Sequence, residues 1–196
     1  DDDDGDDDDE LSGAENVAIL DGRRRSTTRY HWNSAGQLTG LTLPNGGRWS
    51  YLYDALGRRR QKIGPQETTE YLWHEDRVIA DIRYSTRVAE DGDERTAQKV
   101  RSWEYLPEDP CPVAMLQDGE RFLCISDAVG RPREMVTEQG DGVWSAVYDD
   151  EGNVSTKGEE GIGCPIRLGG QWQDAESGLY YDGSGYFDPE TGKDLH

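Results

Sequence analysis

The residue types that could do chemistry are three histidines, three cysteines and several short acidic clusters. His31, His74 and His196 have no second ligand at metal spacing, and His31 alternates with aromatics, which reads as a strand position. Cys111, Cys124 and Cys164 stand at long spacings without a C-x-x-C pair, so no zinc site is expected. One disulfide stays open beside the preferred reading of reduced, buried thiols. Asp149-Asp150 and Glu159-Glu160 are neighbours in sequence, whereas glycoside hydrolysis needs two acids opposed across a cleft. They read as exposed turns. The serines have no histidine partner nearby, and the glycines of 158–163 lack the lysine and the strand–helix frame of a phosphate loop. No cofactor and no metal are expected.

Residues 1–10 hold nine acids and no base. A calcium loop fails on register. With Gly5 at loop position 6, the first ligand would precede Asp1 and position 12 would be Leu11. The reading is a self-repelling acidic tail, disordered through the lead-in to residue 25, with a lid over a basic surface or a nucleic-acid mimic as alternatives. The full chain has 196 residues and a net charge of −20. Residues 11–103 are net +3 and residues 104–196 net −14. Such a chain repels phosphate backbones, so a nucleic-acid partner is disfavoured and a basic protein partner favoured. No apolar run approaches membrane-spanning length and no secretory leader is visible, so no membrane partner and a cytoplasmic location are expected, with another export route left open.

The elements that would position these residues follow from a recurring turn. Tyr53-Asp54-Ala55-Leu56-Gly57-Arg58 has an aspartate to accept backbone N–H groups and, three residues on, a glycine to take the left-handed conformation that closes a short hairpin loop. Asn33 with Gly36, Asp127 with Gly130, and Asp149 with Gly152 repeat that grammar. Asn33 to Asp54 is 21 residues and Asp127 to Asp149 is 22. A fixed period with aromatic flanks marks repeated strand–turn–strand units. Strands are expected over 29–32, 37–43, 48–53, 58–63, 68–73, 77–84, 100–106, 113–117, 121–126, 133–138, 143–148 and 153–157. Val78, Ile79, Ile82 and Tyr84 suit a buried strand. The turn at His74-Glu75-Asp76 lacks the glycine. Residues 85–98 read as a flexible loop.

Y-D-x-x-G-R resembles the signature of the YD repeats of bacterial Rhs proteins, insecticidal toxin-complex proteins and teneurins. The likeness extends through residues 30–57, Thr68-Thr69-Glu70-Tyr71-Leu72-Trp73 and Ser126-Asp127-Ala128-Val129-Gly130-Arg131-Pro132-Arg133-Glu134. It continues through Pro165-Ile166-Arg167-Leu168-Gly169-Gly170-Gln171 to Tyr186-Phe187-Asp188-Pro189-Glu190-Thr191-Gly192. It spans about residues 26–192, in the family's order.

The resemblance implies an all-β fold: consecutive antiparallel hairpins forming a curved sheet or partial shell over 26–157, with an irregular C-terminal plug over 158–196. It implies a non-catalytic module of the shell around a polymorphic toxin, or an orphan remnant of one, exported in a toxin delivery system such as type VI secretion. The partners would be a basic toxin domain or other Rhs shell segments. The family's D-P-x-G-L self-cleavage motif does not occur in these residues. By that resemblance Asp188 takes the place of a helper carboxylate and is carried as the one catalytic candidate, a remnant. A second reading is an acidic immunity- or chaperone-like protein that binds and neutralises a basic toxin, for example a nuclease.

Overall fold

The computed structural model describes residues 27–85, 97–150 and 152–195. The acidic tail, Arg23-Arg24-Arg25, the central part of the 85–98 loop and His196 lie outside the described residues.

Twelve strands follow one another as an antiparallel meander in strict chain order. They are β1 (Arg29–Trp32), β2 (Leu38–Thr42), β3 (Arg48–Tyr53), β4 (Arg59–Ile63), β5 (Glu67–His74) and β6 (Arg77–Ser85). The second half is β7 (Ala97–Tyr105), β8 (Pro112–Gln117), β9 (Glu120–Ser126), β10 (Pro132–Thr137), β11 (Gly142–Tyr148) and β12 (Val154–Gly158). A 3-10 turn at Leu168–Gly170 leads into a second, four-stranded sheet: β13 (Trp172–Gln173), β14 (Tyr180–Tyr181), β15 (Tyr186–Asp188) and β16 (Lys193–Leu195). The terminal segment thus carries short paired strands joined by irregular, glycine-rich stretches. β7 begins at Ala97 and β8 at Pro112, whose missing N–H is tolerated at the first residue of a strand.

Six hairpin turns of the meander share one backbone geometry. In each, the head residue donates its N–H to the carbonyl four residues on, and the residue three on returns an N–H to the head residue's carbonyl. The heads are Asn33, Leu43, Asp54, Thr137, Asp127 and Asp149. The returning donors are Gly36, Gly46, Gly57, Gly140, Gly130 and Gly152, all at positive φ between 73° and 94°. The glycine is thus demanded by backbone conformation, while the side chain at the head is variable. The β5–β6 turn dispenses with glycine by placing Glu75 itself at φ 55°.

The register slips beside several hairpin turns of the meander. Trp32 pairs with Leu38, Tyr53 with Arg59, Trp73 with Val78 and Tyr105 with Pro112, each beside a β-bulge. The bulge explains a departure from the sequence reading. Val78 is 6% exposed, but Ile79 is the extra residue of its bulge and is 38% exposed. Tyr84 and Ile82 are half-buried rather than core.

Beyond the bulges, alternation directs one face of the large sheet onto the small one. Leu38, Leu41 and Tyr51 pack with Leu179, Tyr181 and Tyr186. Tyr71, Trp103, Met115, Phe122, Met135 and Trp144 pack with Ile166 and Trp172. Trp73 touches both clusters. Trp172 is set edge-on to Tyr71 at 5.3 Å and to Trp103 at 6.1 Å between ring centroids.

Trp172 is the main apolar anchor of the small sheet in the second cluster. Trp172→Ala is expected to lower unfolding free energy by about 3–5 kcal/mol, the usual cost of emptying a buried aromatic site. Chemical denaturation followed by far-UV circular dichroism reads it, and a loss under about 1 kcal/mol would contradict this packing.

Candidate functional site

Four aromatics at the ends of β3, β5, β7 and β11 carry a polar atom that must be satisfied. Tyr53 donates to the Leu38 carbonyl (2.7 Å), Trp73 to Arg59 (2.8 Å), Tyr105 to Val78 (2.8 Å) and Tyr148 to Pro132 (3.1 Å). The acceptor is the bulge-partner residue of an earlier hairpin: Leu38, Arg59, Val78 and Pro132 pair with Trp32, Tyr53, Trp73 and Ser126. The tyrosine of the repeat therefore stitches one hairpin to another as well as filling the core.

Three of those four partner positions are apolar and buried. The fourth is Arg59, 1% exposed. Of the triplet Arg58-Arg59-Arg60, Arg60 is exposed and Arg58 serves the turn. Arg58 donates to Asp54 Oδ2 (2.9 Å) and to the Glu75 carbonyl of the next hairpin (2.7 Å). The bulge turns Arg59 inward. There it meets Asp174, which is 0% exposed, at the head of the turn between β13 and β14, in a bidentate pair at 2.5 and 3.0 Å. The guanidinium carbon lies 4.6 Å from the ring centroid of Tyr181, 4.9 Å from Tyr71 and 5.5 Å from Tyr51. Lys62 adds contacts to Asp174 (3.2 Å) and to Glu176 (2.9 Å), and Tyr51 donates to Glu176 (3.0 Å). The Arg59 N–H donates to the Tyr181 hydroxyl (2.8 Å), and Tyr53 and Tyr186 share a hydroxyl contact at 3.1 Å.

Burial pushes the Asp174 carboxyl up, but Arg59 and Lys62 outweigh it and hold the group below its ordinary range. Burial holds the phenols of Tyr51, Tyr71 and Tyr186 protonated. A carboxylate with three donors from two cations is a poor proton acceptor, so this cluster is suited to fastening rather than acid–base work.

A second buried pair lies further along the wall. Arg101 makes three contacts of 2.7–3.1 Å to Asp81, which also accepts from Trp103 (2.9 Å). The same guanidinium donates to the Gly163 carbonyl (2.9 Å), so the chain leaving β12 is tied back to β7.

The sequence-derived candidates fall elsewhere. Asp54 and Asp127 each accept two backbone N–H groups at 2.9–3.1 Å, at residues two and four on. Asn33 does the same for Ala35 and Gln37, and Asp149 accepts from Asn153. These eight residues of the turn motif, Asn33, Gly36, Asp54, Gly57, Asp127, Gly130, Asp149 and Gly152, are spread along one rim by the meander and form no cluster. Asp188 caps its own turn, accepting from Glu190 N–H (3.0 Å) and from the Thr191 hydroxyl (2.8 Å). Asp149-Asp150 and Glu159-Glu160 are exposed, as are His31 and His74. No group of metal-ligating side chains occurs among the described residues. Cys111, Cys124 and Cys164 are free, and burial pushes the Cys164 thiol up to about 11.

Arg59, Asp174, Asp81 and Arg101 were not singled out from the sequence. The available signal was phase: Arg101 shares its face with Trp103 and Tyr105, and Arg59 follows a run of inward aromatics.

Removing either partner of the Arg59–Asp174 pair strands a buried charge. Arg59→Met and Asp174→Asn are each expected to cost about 3–5 kcal/mol. The double replacement Arg59→Met with Asp174→Leu should recover most of it. Denaturation midpoints measure this; single losses near zero would show the pair to be slack. Asp127 gives a pH signature. Partial burial pushes its carboxyl up, but the Arg131 N–H and the Arg131 and Arg133 guanidinium groups outweigh this and hold it at about 2. Its stabilisation is complete above the unfolded value of 3.8 and disappears as pH falls through 2. Asp127→Asn is expected to flatten the acid limb of a stability–pH profile in that window, and an unchanged limb would contradict the assignment.

Residues 32–69 match the family model described as RHS Repeat. The chain is 32% identical over 179 residues to the probable deoxyribonuclease RhsB of Dickeya dadantii, covering 89% of this chain and 12% of that protein. It is 30% identical over 167 residues to the toxin protein Tse5 of Pseudomonas aeruginosa, covering 73% of this chain and 13% of that one. The chain thus spans roughly an eighth of the length of these relatives. Among solved structures, the Photorhabdus luminescens Tc holotoxin pore has the same fold over 87% of this chain and 9% of its own, with a TM-score of 0.66 at 20% identity. The hairpin meander, its repeated turn and these matches agree: the chain belongs to the Rhs, or YD-repeat, family.

Proposed function

We propose that the chain is an arc of wall with its plug from the shell of an Rhs toxin system, and that it carries no catalytic group. The wall would be residues 26–157 and the plug 158–196. The observation that carries this reading is the buried Arg59–Asp174 pair, which fastens the small sheet against the meander and leaves no side chain there poised for proton transfer. β1 and β12 end the meander with one outer edge each among the described residues, so a longer wall could continue from either side. The partners would be adjoining shell segments and a basic toxin domain held inside, and the assembly would be made in the cytoplasm and exported with its delivery system.

The deoxyribonuclease activity in the name of the Dickeya protein belongs to that protein. In this reading the shared stretch is wall, and the chemistry lies in other parts of such proteins. The net charge of −20 favours a second reading, an acidic immunity- or chaperone-like protein that neutralises a basic toxin in trans.

The purified chain is expected to leave supercoiled plasmid intact in the presence of divalent metal, and to keep its intact mass on incubation at acid and neutral pH. Nicking by the wild type, or a shortened mass that Asp188→Asn abolishes, would end the non-catalytic reading. Added in trans to a free basic nuclease toxin at low salt, a wall module leaves the nuclease active. Stoichiometric inhibition, relieved by salt, would instead establish the immunity reading.

A further inference from the structure

A cleft of about 490 Å³ opens where the irregular chain after β12 passes the side chains of β6 and β7. Four cations line it, Arg83, Lys99, Arg101 and Arg167, in a chain whose net charge is −20. Their own partners leave them undercompensated. Arg167 is 3% exposed, yet its partners are the Cys164 and Ile166 carbonyls (2.8 Å each), the Gln173 amide oxygen and the Tyr148 and Tyr180 phenols, all neutral. Lys99 donates to the Gly161 carbonyl, also neutral. Arg83 Nε is buried without a hydrogen bond; its ion pairs to Asp81 and Glu67 are long, at 3.7 and 3.9 Å. Asp81 is already committed to Arg101 and Trp103. Desolvation and the repulsion of Arg101 and Arg83 lower the Lys99 pKa despite Asp118 and Asp81, so the local field is positive.

Buried arginine without a carboxylate is costly, and a guanidinium fork is matched to the oxygens of an anion. We propose that this cleft is an oxyanion-binding site, taking clustered carboxylate or phosphate oxygens between Arg83, Lys99 and the wall formed by Arg101 and Arg167. Two sources supply that chemistry: the chain's own run of nine acids in residues 1–10, or a free multivalent anion. The site is independent of the shell reading, because it rests on the charges of the cleft and not on what the wall encloses.

Calorimetric titration of the full-length chain at low salt uses pyrophosphate as the probe. A second full-length protein has Asp1–Asp4 and Asp6–Asp9 replaced by Asn. Binding is expected in at least the neutralised-tail protein. It should weaken about tenfold or more in R83M/K99M, since each charge-assisted contact contributes about 1.5–3 kcal/mol. Thr156 lines the cleft and is exposed, so T156E adds a carboxylate without touching the core and should weaken binding as well. Tighter binding after tail neutralisation makes the chain's own acids the resident ligand; equal binding assigns the site to a free anion. No binding in either protein, or binding unchanged by both R83M/K99M and T156E, overturns the proposal.

Discussion

The structure depends on one buried charge pair. At equivalent places beside its bulges the meander puts Leu38, Val78, Pro112 and Pro132, and at one place alone in that series it puts Arg59. An apolar residue there would accept any apolar face. An arginine accepts only a segment that brings a carboxylate to the same point, and Asp174 does so from the first turn of the small sheet. The pair need add little to net stability, because desolvation offsets its attraction. Its consequence is registry: a plug shifted by one residue would leave both charges buried and unpaired, at a cost of several kcal/mol.

The bulges make that placement possible. Each slips the register by one residue, turns a side chain inward that alternation would have sent out, and exposes another, as at Ile79. The freed carbonyl beside the bulge would be an orphan in a buried wall. At Leu38, Arg59, Val78 and Pro132 it is taken by the Tyr or Trp of a later hairpin, which ties one hairpin to another. This accounts for the aromatic next to the turn aspartate better than packing alone, since a phenylalanine would fill the space and leave the carbonyl unsatisfied.

Local features were legible from the residues. The strands and the four Asp- or Asn-headed turns follow from alternation and from glycine at three residues' distance. The turns headed by Leu43 and Thr137 were harder to recognise as members of the set, because their backbone hydrogen bonds match while the head side chain does not. The buried charges were illegible for a different reason. Arg59 and Asp174 are 115 residues apart, and neither is unusual in its own segment. Whether Arg58, Arg59 or Arg60 points inward is decided by a bulge, which changes phase without changing composition. Asp188 illustrates the converse: its position in a motif suggested chemistry, but its oxygens are taken by its own turn.

The two halves of the wall hold the terminal segment by different means. Along β1–β5 the contact is a carboxylate on a guanidinium, framed by tyrosines. Along β6–β12 it is a guanidinium, Arg101, on a backbone carbonyl, with Trp172 edge-on to the rings behind it. A carbonyl is available from any sequence, whereas the carboxylate is specific to Asp174. Registry is therefore set at the first contact, and the second asks for no particular side chain at residue 163. It follows that substitutions of the wall at Arg59 are acceptable only with a matching change in the plug, while in the crossing segment the exposed Glu159 and Glu160 can vary and Gly161, at φ 81°, and the core-packed Ile162 cannot. Wall and plug are in this sense one folding unit: neither inward face is satisfied without the other, because each contributes one half of a buried pair that water would otherwise have to solvate.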